Sequence, residues 1–409
     1  MKDRLEAWLD TAAADPVFRF ASRGLTGGIT LIADGAATTL HLGEDPRVAD
    51  GPGGNITIEA TGALWQQVMR ADPPPGRHSF GALLRRDDGP AITADPLDLA
   101  QALAALERLI ELARPGDIAF AGFDYPHDPA TVTGHRRVLR GPDGAGALIH
   151  WLESGRGRPV VFLHTAGADA RQFLHQLADT ELQGRHRLMA FDMPWHGLSG
   201  GQNGVEETSG YRLTEAGYLG WVSRFIEEVA GEPVTLVGCS MGASITLGMA
   251  AHRPDLLTGA IALEAPLRSP GRKSPLLADA RVANGLHNPA YVRAMLGPTC
   301  PQRFRDEACA IYAQGRPGVY MGDLHYYSEE YDGAALAPGV REGKCRIELL
   351  TGSYDYSASP ENTRALAALL DPAQVTFVEM AGLGHFPMIE DPVRFRPHLL
   401  AALERLESR

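Results

Sequence analysis

The five residues Gly238-Cys239-Ser240-Met241-Gly242 constrain this chain more than any other stretch, because of what flanks them. The apolar run PVTLV stands before them and the helical pattern ASITLGMAAHR after them. A serine in the turn between a buried strand and a helix occupies a strained backbone position, and only glycine leaves room on either side. The hydroxyl then stands at a helix N-terminus, where the dipole favours developing negative charge. A strand that feeds straight into a helix is also the building unit of parallel sheets. The segment therefore predicts an α/β fold and a nucleophile at Ser240 together.

The rest of the chain from Gly134 onward has the texture that such a sheet requires. Short continuous apolar runs recur at residues 160–163, 188–191 and 234–237, around Leu263, and at 347–350 and 375–378, with helical patterns between them. Strands buried on both faces read this way. Residues 134–409 are thus expected to form one α/β domain, with residues 117–133, rich in turn formers and without a period, as a linker.

Residues 1–116 read as a separate small α+β domain. Two alternating runs, residues 29–42 and 55–60, predict a half-buried antiparallel sheet. A helix is expected at residues 62–70. Leu99, Leu103, Leu106 and Ile110 make one helical stripe, with Asp95 and Pro96 as its start. All the candidate catalytic groups lie beyond the linker, so a chain beginning near Gly134 is expected to keep its chemistry.

A serine nucleophile needs a base, and the base needs an orienting carboxylate, in the chain order Ser, acid, His for this kind of elbow. After the run IELLTG comes Ser353-Tyr354-Asp355, and after VTFVEM comes Gly382-Leu383-Gly384-His385-Phe386-Pro387. Both sit at strand ends, where doubly wound sheets place their ligand crevice. Asp355 and His385 are the expected partners of Ser240, and Glu264, past the run AIALEA, is the alternative carboxylate.

Two further segments, His164-Thr165-Ala166-Gly167 after the first strong strand and the turn from Asp192 through Trp195 and His196 to Ser199, complete a set of four signatures. With them, residues 134–409 resemble the α/β-hydrolase superfamily. That resemblance implies an oxyanion hole from the N–H groups of Ala166 and Met241, with His164 anchoring its loop and His196 in a structural turn. It also implies a helical cap over the site, expected at about residues 267–344. Trp195, Phe386, Met388, Tyr326 and Tyr327 are the expected substrate-binding residues. The implied activity is hydrolysis of a neutral hydrophobic or aromatic ester through an acyl-enzyme. C–C bond hydrolysis or perhydrolysis by the same triad, and a lipid-binding protein on a hydrolase scaffold, are the alternatives. Over residues 1–116 the order of strand pair, short helix, PPPG turn and long amphipathic helix resembles the sterol-carrier-protein type 2-like fold. This implies a lipid-like ligand or an oligomer contact as a partner, beside the small-molecule substrate of the second domain.

Composition narrows the remaining classes. A net charge of −12 gives no global attraction to nucleic acid or anionic lipid. The lysines are Lys2, Lys273 and Lys344, none in an apolar strand where a Schiff-base amine would form. The four cysteines show neither C-x-x-C pairs nor metal-ligand spacing, which fits a reducing, cytoplasmic compartment. No apolar run reaches the roughly 18 residues of a membrane span, and the first residues carry acids where an export signal would be apolar. Gly339 to Cys345 miss the phosphate-loop spacing and its final Ser/Thr. No cofactor and no metal are expected.

Overall fold

The computed structural model describes residues 1–114, 116, 118–201 and 210–408. Pro115 and Asp117, at the expected domain boundary, lie outside the described residues. The chain divides into two compact units, Met1–Ala119 with Ala278–Ala313, and Phe120–Leu277 with Gln314–Arg409.

The first unit holds a five-stranded sheet of β1 (Gly28–Ala33), β2 (Ala36–His41), β3 (Arg47–Asp50), β4 (Ile56–Ala60) and β5 (Ala91–Thr93) in the order β3-β2-β1-β4-β5. The run at residues 29–42 is a tight hairpin rather than one strand. Asp34 and Gly35 both take positive φ, 49° and 85°, which is the two-residue turn that matches strand twist. Ile29, Leu31, Leu40, Ile56 and Ile58 fill the core at alternate positions. Thr61 caps the helix Gly62–Val68 through the Leu64 N–H, and Asp95 caps Pro96–Glu111 through the Leu97 N–H at 2.8 Å. The helix Lys2–Ala14 was not anticipated, although Leu5, Trp8, Leu9 and Ala12 bury one face at helical spacing.

The largest departure from expectation concerns residues 278–313. They were expected within a single cap, and they belong to the first unit. Ala290, in the helix Asn284–Met295, joins that unit's buried core. The Glu111 carboxylate, at the end of Pro96–Glu111, receives Arg293 at 2.6 Å, Arg305 at 2.9 Å and Arg108 at 3.1 Å. These guanidinium groups outweigh its burial and hold its carboxyl down at about 2. A chain beginning at Gly134 would carry this segment without residues 1–119, with which it packs, so a cut at the linker divides the first unit rather than removing it whole.

Among the described residues, the second unit is built on eight strands: β6 (Thr133–Arg140), β7 (Gly146–Gly155), β8 (Arg158–Leu163), β9 (His186–Phe191), β10 (Val234–Cys239), β11 (Leu257–Leu263), β12 (Ile347–Gly352) and β13 (Val375–Met380). Their order is β13-β12-β11-β10-β8-β9-β7-β6, parallel from β8 to β13 with an antiparallel edge at β7 and β6. Strand β8 has β9 on one side and β10 on the other, so the chain leaves it in both directions. Loops part at such a switch point and open a crevice at the C-terminal strand ends. The second half of the expected linker docks on this unit. Asp128 N–H donates to Ala178 O at 2.9 Å, Phe123 stacks on His127 at 3.7 Å, and the Arg396 guanidinium lies 4.5 Å from the Tyr125 ring centre. Among the described residues, no helix is long and apolar enough to cross a membrane.

Candidate active site

Ser240 follows β10 with φ 56° and ψ −113°, and the helix Met241–His252 starts at the next residue. A Cβ at Gly238 would run into the Gly242 carbonyl and stand 2.6 Å from Thr246 Oγ1. One at Gly242 would stand 2.5 Å from Leu163 O. Both glycines are therefore sterically required, and Ser240 N–H is fastened to Leu263 O of β11 at 2.9 Å.

The loops after β12 and β13 bring the other two groups to this turn. His385 Nε2 lies 2.9 Å from Ser240 Oγ, and His385 Nδ1 lies 2.6 Å from Asp355 Oδ2. Asp355 Oδ1 accepts the N–H groups of Ser357 at 2.6 Å and Ala358 at 3.0 Å. Burial alone would raise the Asp355 carboxyl, but His385 first, then Glu264 and the Ala358 N–H, outweigh it and hold it at about 2. Asp355 thus has the charge and His385 the direction that a proton relay to Ser240 requires. All three residues are at most 4% exposed.

Ala166 stands in the loop after β8, and Met241 opens its helix, where an N–H has no intrahelical acceptor. His164 ties that loop down. Its Nδ1–H donates to Thr165 O at 2.8 Å, and its Nε2 accepts the Met193 N–H at 3.2 Å. Burial and the neighbouring His196 lower its pKa to about 4, so it is neutral.

His196 has acceptors at both nitrogens, Pro194 O at 2.9 Å and Asp323 Oδ2 at 2.8 Å. Burial opposes its charge, yet the Asp323 carboxylate prevails and raises its pKa. Asp323 also accepts Gly167 N–H at 2.7 Å and Tyr211 OH at 2.7 Å. It therefore joins the β8 loop, the β9 turn and the helix Val319–His325. Sequence reasoning missed Asp323 because its partners lie 112, 127 and 156 residues away. It missed Glu390 too, whose carboxylate accepts the Gly384 and Phe386 N–H groups on either side of His385. No capping box announces it, since the N-cap is Phe386 and Glu390 stands four residues on rather than three.

The expected substrate-binding residues separate into groups. Tyr327 comes closest, with its hydroxyl 3.1 Å from Ser240 Oγ, and burial keeps that phenol neutral. It lies in a π-helical turn, Tyr326–Glu330, whose wider register buries the consecutive Tyr326 and Tyr327. The Tyr326 ring meets Tyr218 edge-on at 5.6 Å. Phe386 sets its ring edge-on to His385 at 4.9 Å, and Met388 is wholly buried. Trp195 instead lines a cavity of about 480 Å³ with Gly167, Asp169, His196 and Arg316, and no member of the Ser240 group lines it.

Among the described residues, the group of acids and imidazoles close enough to hold an ion is Glu264, Asp355 and His385. Hydrogen bonds already engage it: His385 Nδ1 with Asp355, and Gly352 N–H with both Glu264 oxygens.

A mostly parallel sheet with a strained serine at a strand end and an acid and a histidine on later loops is the frame of a hydrolase. The alpha/beta hydrolase family model matches residues 160–397, and the chain belongs to that family. It is 32% identical over 109 residues to (E)-2-((N-methylformamido)methylene)succinate hydrolase of Acinetobacter baylyi, covering 26% of this chain and 38% of that protein. It is 31% identical over 137 residues to the chloroplastic protein PHYLLO of Arabidopsis thaliana, covering 32% and 7%. These matches span well under half the length of either relative. The fold is similar to that of a thermophilic esterase from Thermogutta terrifontis, with TM-score 0.54, 21% identity, and 66% of this chain and 99% of that one covered. It is also similar to an enol-lactonase from Burkholderia xenovorans, with TM-score 0.56, 18% identity, and 65% and 99% covered.

Proposed function

We propose that this protein is a cofactor-independent serine hydrolase that cleaves a neutral hydrophobic or aromatic ester through an acyl-enzyme on Ser240. The observation that carries this reading is the line from Ser240 Oγ through His385 to Asp355, at 2.9 and 2.6 Å. His385 takes the hydroxyl proton as Oγ attacks the ester carbonyl, and returns it to the leaving alcohol. It then activates the water that frees the acid, while Asp355 fixes the tautomer and stabilises the imidazolium. The N–H groups of Ala166 and Met241 receive the oxyanion. Tyr327, Phe386 and Met241 around the serine favour an apolar acyl group, since a charged one would need a partner to offset its desolvation.

The sterol-carrier-like reading of the first unit, with its lipid-like ligand, belongs to the same proposal and is supported by element order alone. So does a reducing, cytoplasmic location, supported by four cysteines that are thiols rather than disulfides. The test is fluorophosphonate labelling of the full chain, followed by kcat/KM across acetyl, hexanoyl, benzoyl and succinyl esters of one alcohol. Ser240→Ala is expected to abolish labelling and lower turnover by about 10⁴-fold or more. Labelling that survives this substitution sinks the serine mechanism, and a preference for the succinyl ester sinks the apolar pocket.

A further inference from the structure

Glu264 follows β11 and neighbours the strand that leads to Asp355. Its φ is 53°, and its side chain is fully buried. The Gly352 N–H lies 3.0 and 3.1 Å from its two oxygens. Ligand atoms of Glu264, Asp355 and His385 lie within 4.8 Å of one another, which brings the two carboxyl groups close enough to share a proton.

Two carboxyl groups in contact and shielded from water cannot both be ionised, so they hold a proton between them. The donor count decides where it rests. Asp355 receives His385 Nδ1–H and the N–H groups of Ser357 and Ala358, whereas Glu264 receives the Gly352 N–H. Charge therefore settles on Asp355. Besides Asp355 and the His385 imidazole that Asp355 holds, the titratable groups that face Glu264 among the described residues are Cys239, at the end of β10, and Glu390, on the helix Pro387–Glu390. The Cys239 thiol is pushed far up by burial first and then by these acids, so neither neighbour offers Glu264 a positive charge. Burial, followed by the Asp355 charge, drives the Glu264 carboxyl well above the usual range.

We propose that Glu264 is a protonated carboxylic acid that donates a hydrogen bond to Asp355 and so positions that carboxylate for His385. This rests on the Ser240, His385 and Asp355 reading above. Glu264 is a positioning residue, since it reaches the reacting atoms only through Asp355. Ionising it would remove the donor and set a second negative charge against Asp355, so the reaction should fail on the alkaline side as Glu264 titrates. A glutamine mimics the neutral acid: its carbonyl can accept the Gly352 N–H while its NH₂ donates to Asp355. An alanine supplies neither.

The test compares the full-length wild type, Glu264→Gln and Glu264→Ala in fluorophosphonate labelling rate against pH. Loss of one charge-assisted hydrogen bond predicts roughly 10- to 100-fold slower labelling in Glu264→Ala, and most of it is restored in Glu264→Gln. The alkaline decline of the wild type is expected to vanish in Glu264→Gln. A folded Glu264→Gln as slow as Glu264→Ala, or one with the wild-type alkaline decline, overturns the proposal. If Glu264→Ala does not fold, the Glu264→Gln pH profile decides. Infrared difference spectra of wild type against Glu264→Gln at pH 7 give a readout apart from activity. The carbonyl stretch of a buried neutral acid is expected, and carboxylate bands in its place overturn the proposal even where the wild type labels well. A wild type that shows the acid band but never labels refutes the hydrolase reading instead.

Discussion

Asp355→Asn offers a sharp test of the relay, because the surrounding backbone dictates how the amide must sit. Asp355 Oδ1 accepts two N–H groups, from Ser357 at 2.6 Å and Ala358 at 3.0 Å. The asparagine carbonyl must take that position, since an NH₂ there would face two donors. Its NH₂ then occupies the place of Oδ2, 2.6 Å from His385 Nδ1, and donates to it. His385 is forced to carry its proton on Nε2, which lies 2.9 Å from Ser240 Oγ. The lone pair that should take the hydroxyl proton is gone, although no atom has moved far. A wrong tautomer of this kind lowers turnover by about 10⁴-fold in a serine triad, or ~5 kcal/mol of barrier. The assay is kcat/KM on an activated ester and the fluorophosphonate labelling rate, with a thermal melt to show that the fold persists. A folded Asp355→Asn that loses less than tenfold would mean that Asp355 does not set the state of His385.

Two further outcomes follow from the loop after β8. Gly242→Ala would press its Cβ against Leu163 O at 2.5 Å and His164 O at 2.9 Å, spreading the Ala166 and Met241 N–H groups apart. It should cost about 1–3 kcal/mol in urea unfolding and lower kcat more than it changes KM; an intact kcat removes the proposed oxyanion hole. The neutral His164 gives stability that is complete above the ordinary histidine pKa of 6.5 and is lost as pH falls through about 4. This contribution is about 3 kcal/mol, so the drop in urea midpoint between pH 7 and 4 should be smaller in His164→Asn, and equal drops would speak against a neutral, buried imidazole.

The parts legible in the sequence were those encoded locally. Each parallel strand announces itself by a short apolar run, and Ser240, Asp355 and His385 each follow such a run directly. The steric demand at Gly238 and Gly242 is likewise a matter of adjacent backbone. What escaped were contacts between distant segments. Nothing near Asp323 says that Gly167, His196 and Tyr211 will converge on it. The arginines at 293 and 305 give no local sign that Glu111 is their common partner, so residues 278–313 read as cap. Trp195 was expected at the substrate for its aromatic ring; it takes a positive φ of 73° and lines the cavity it shares with His196 and Arg316, a placement that no local pattern announces. The hairpin at Asp34-Gly35 was readable, and the alternation on either side of it hid the turn.

The assembly of the first unit from two distant stretches of chain bears on how the protein is made. Its helix Pro96–Glu111 leaves the ribosome early, but the segment that joins its core ends at Ala313, about 200 residues later. At ~5–20 residues per second that interval is roughly 10–40 s, far longer than a helix or hairpin needs to form. During this time Glu111 has no Arg293 or Arg305, and the apolar surface that Ala290 joins is uncovered. Strands β6 to β11 meanwhile emerge and can begin to pair. The region synthesised first is therefore completed only after much of the following sheet exists, and a nascent chain stalled before residue 278 would present a sticky, half-finished N-terminal body.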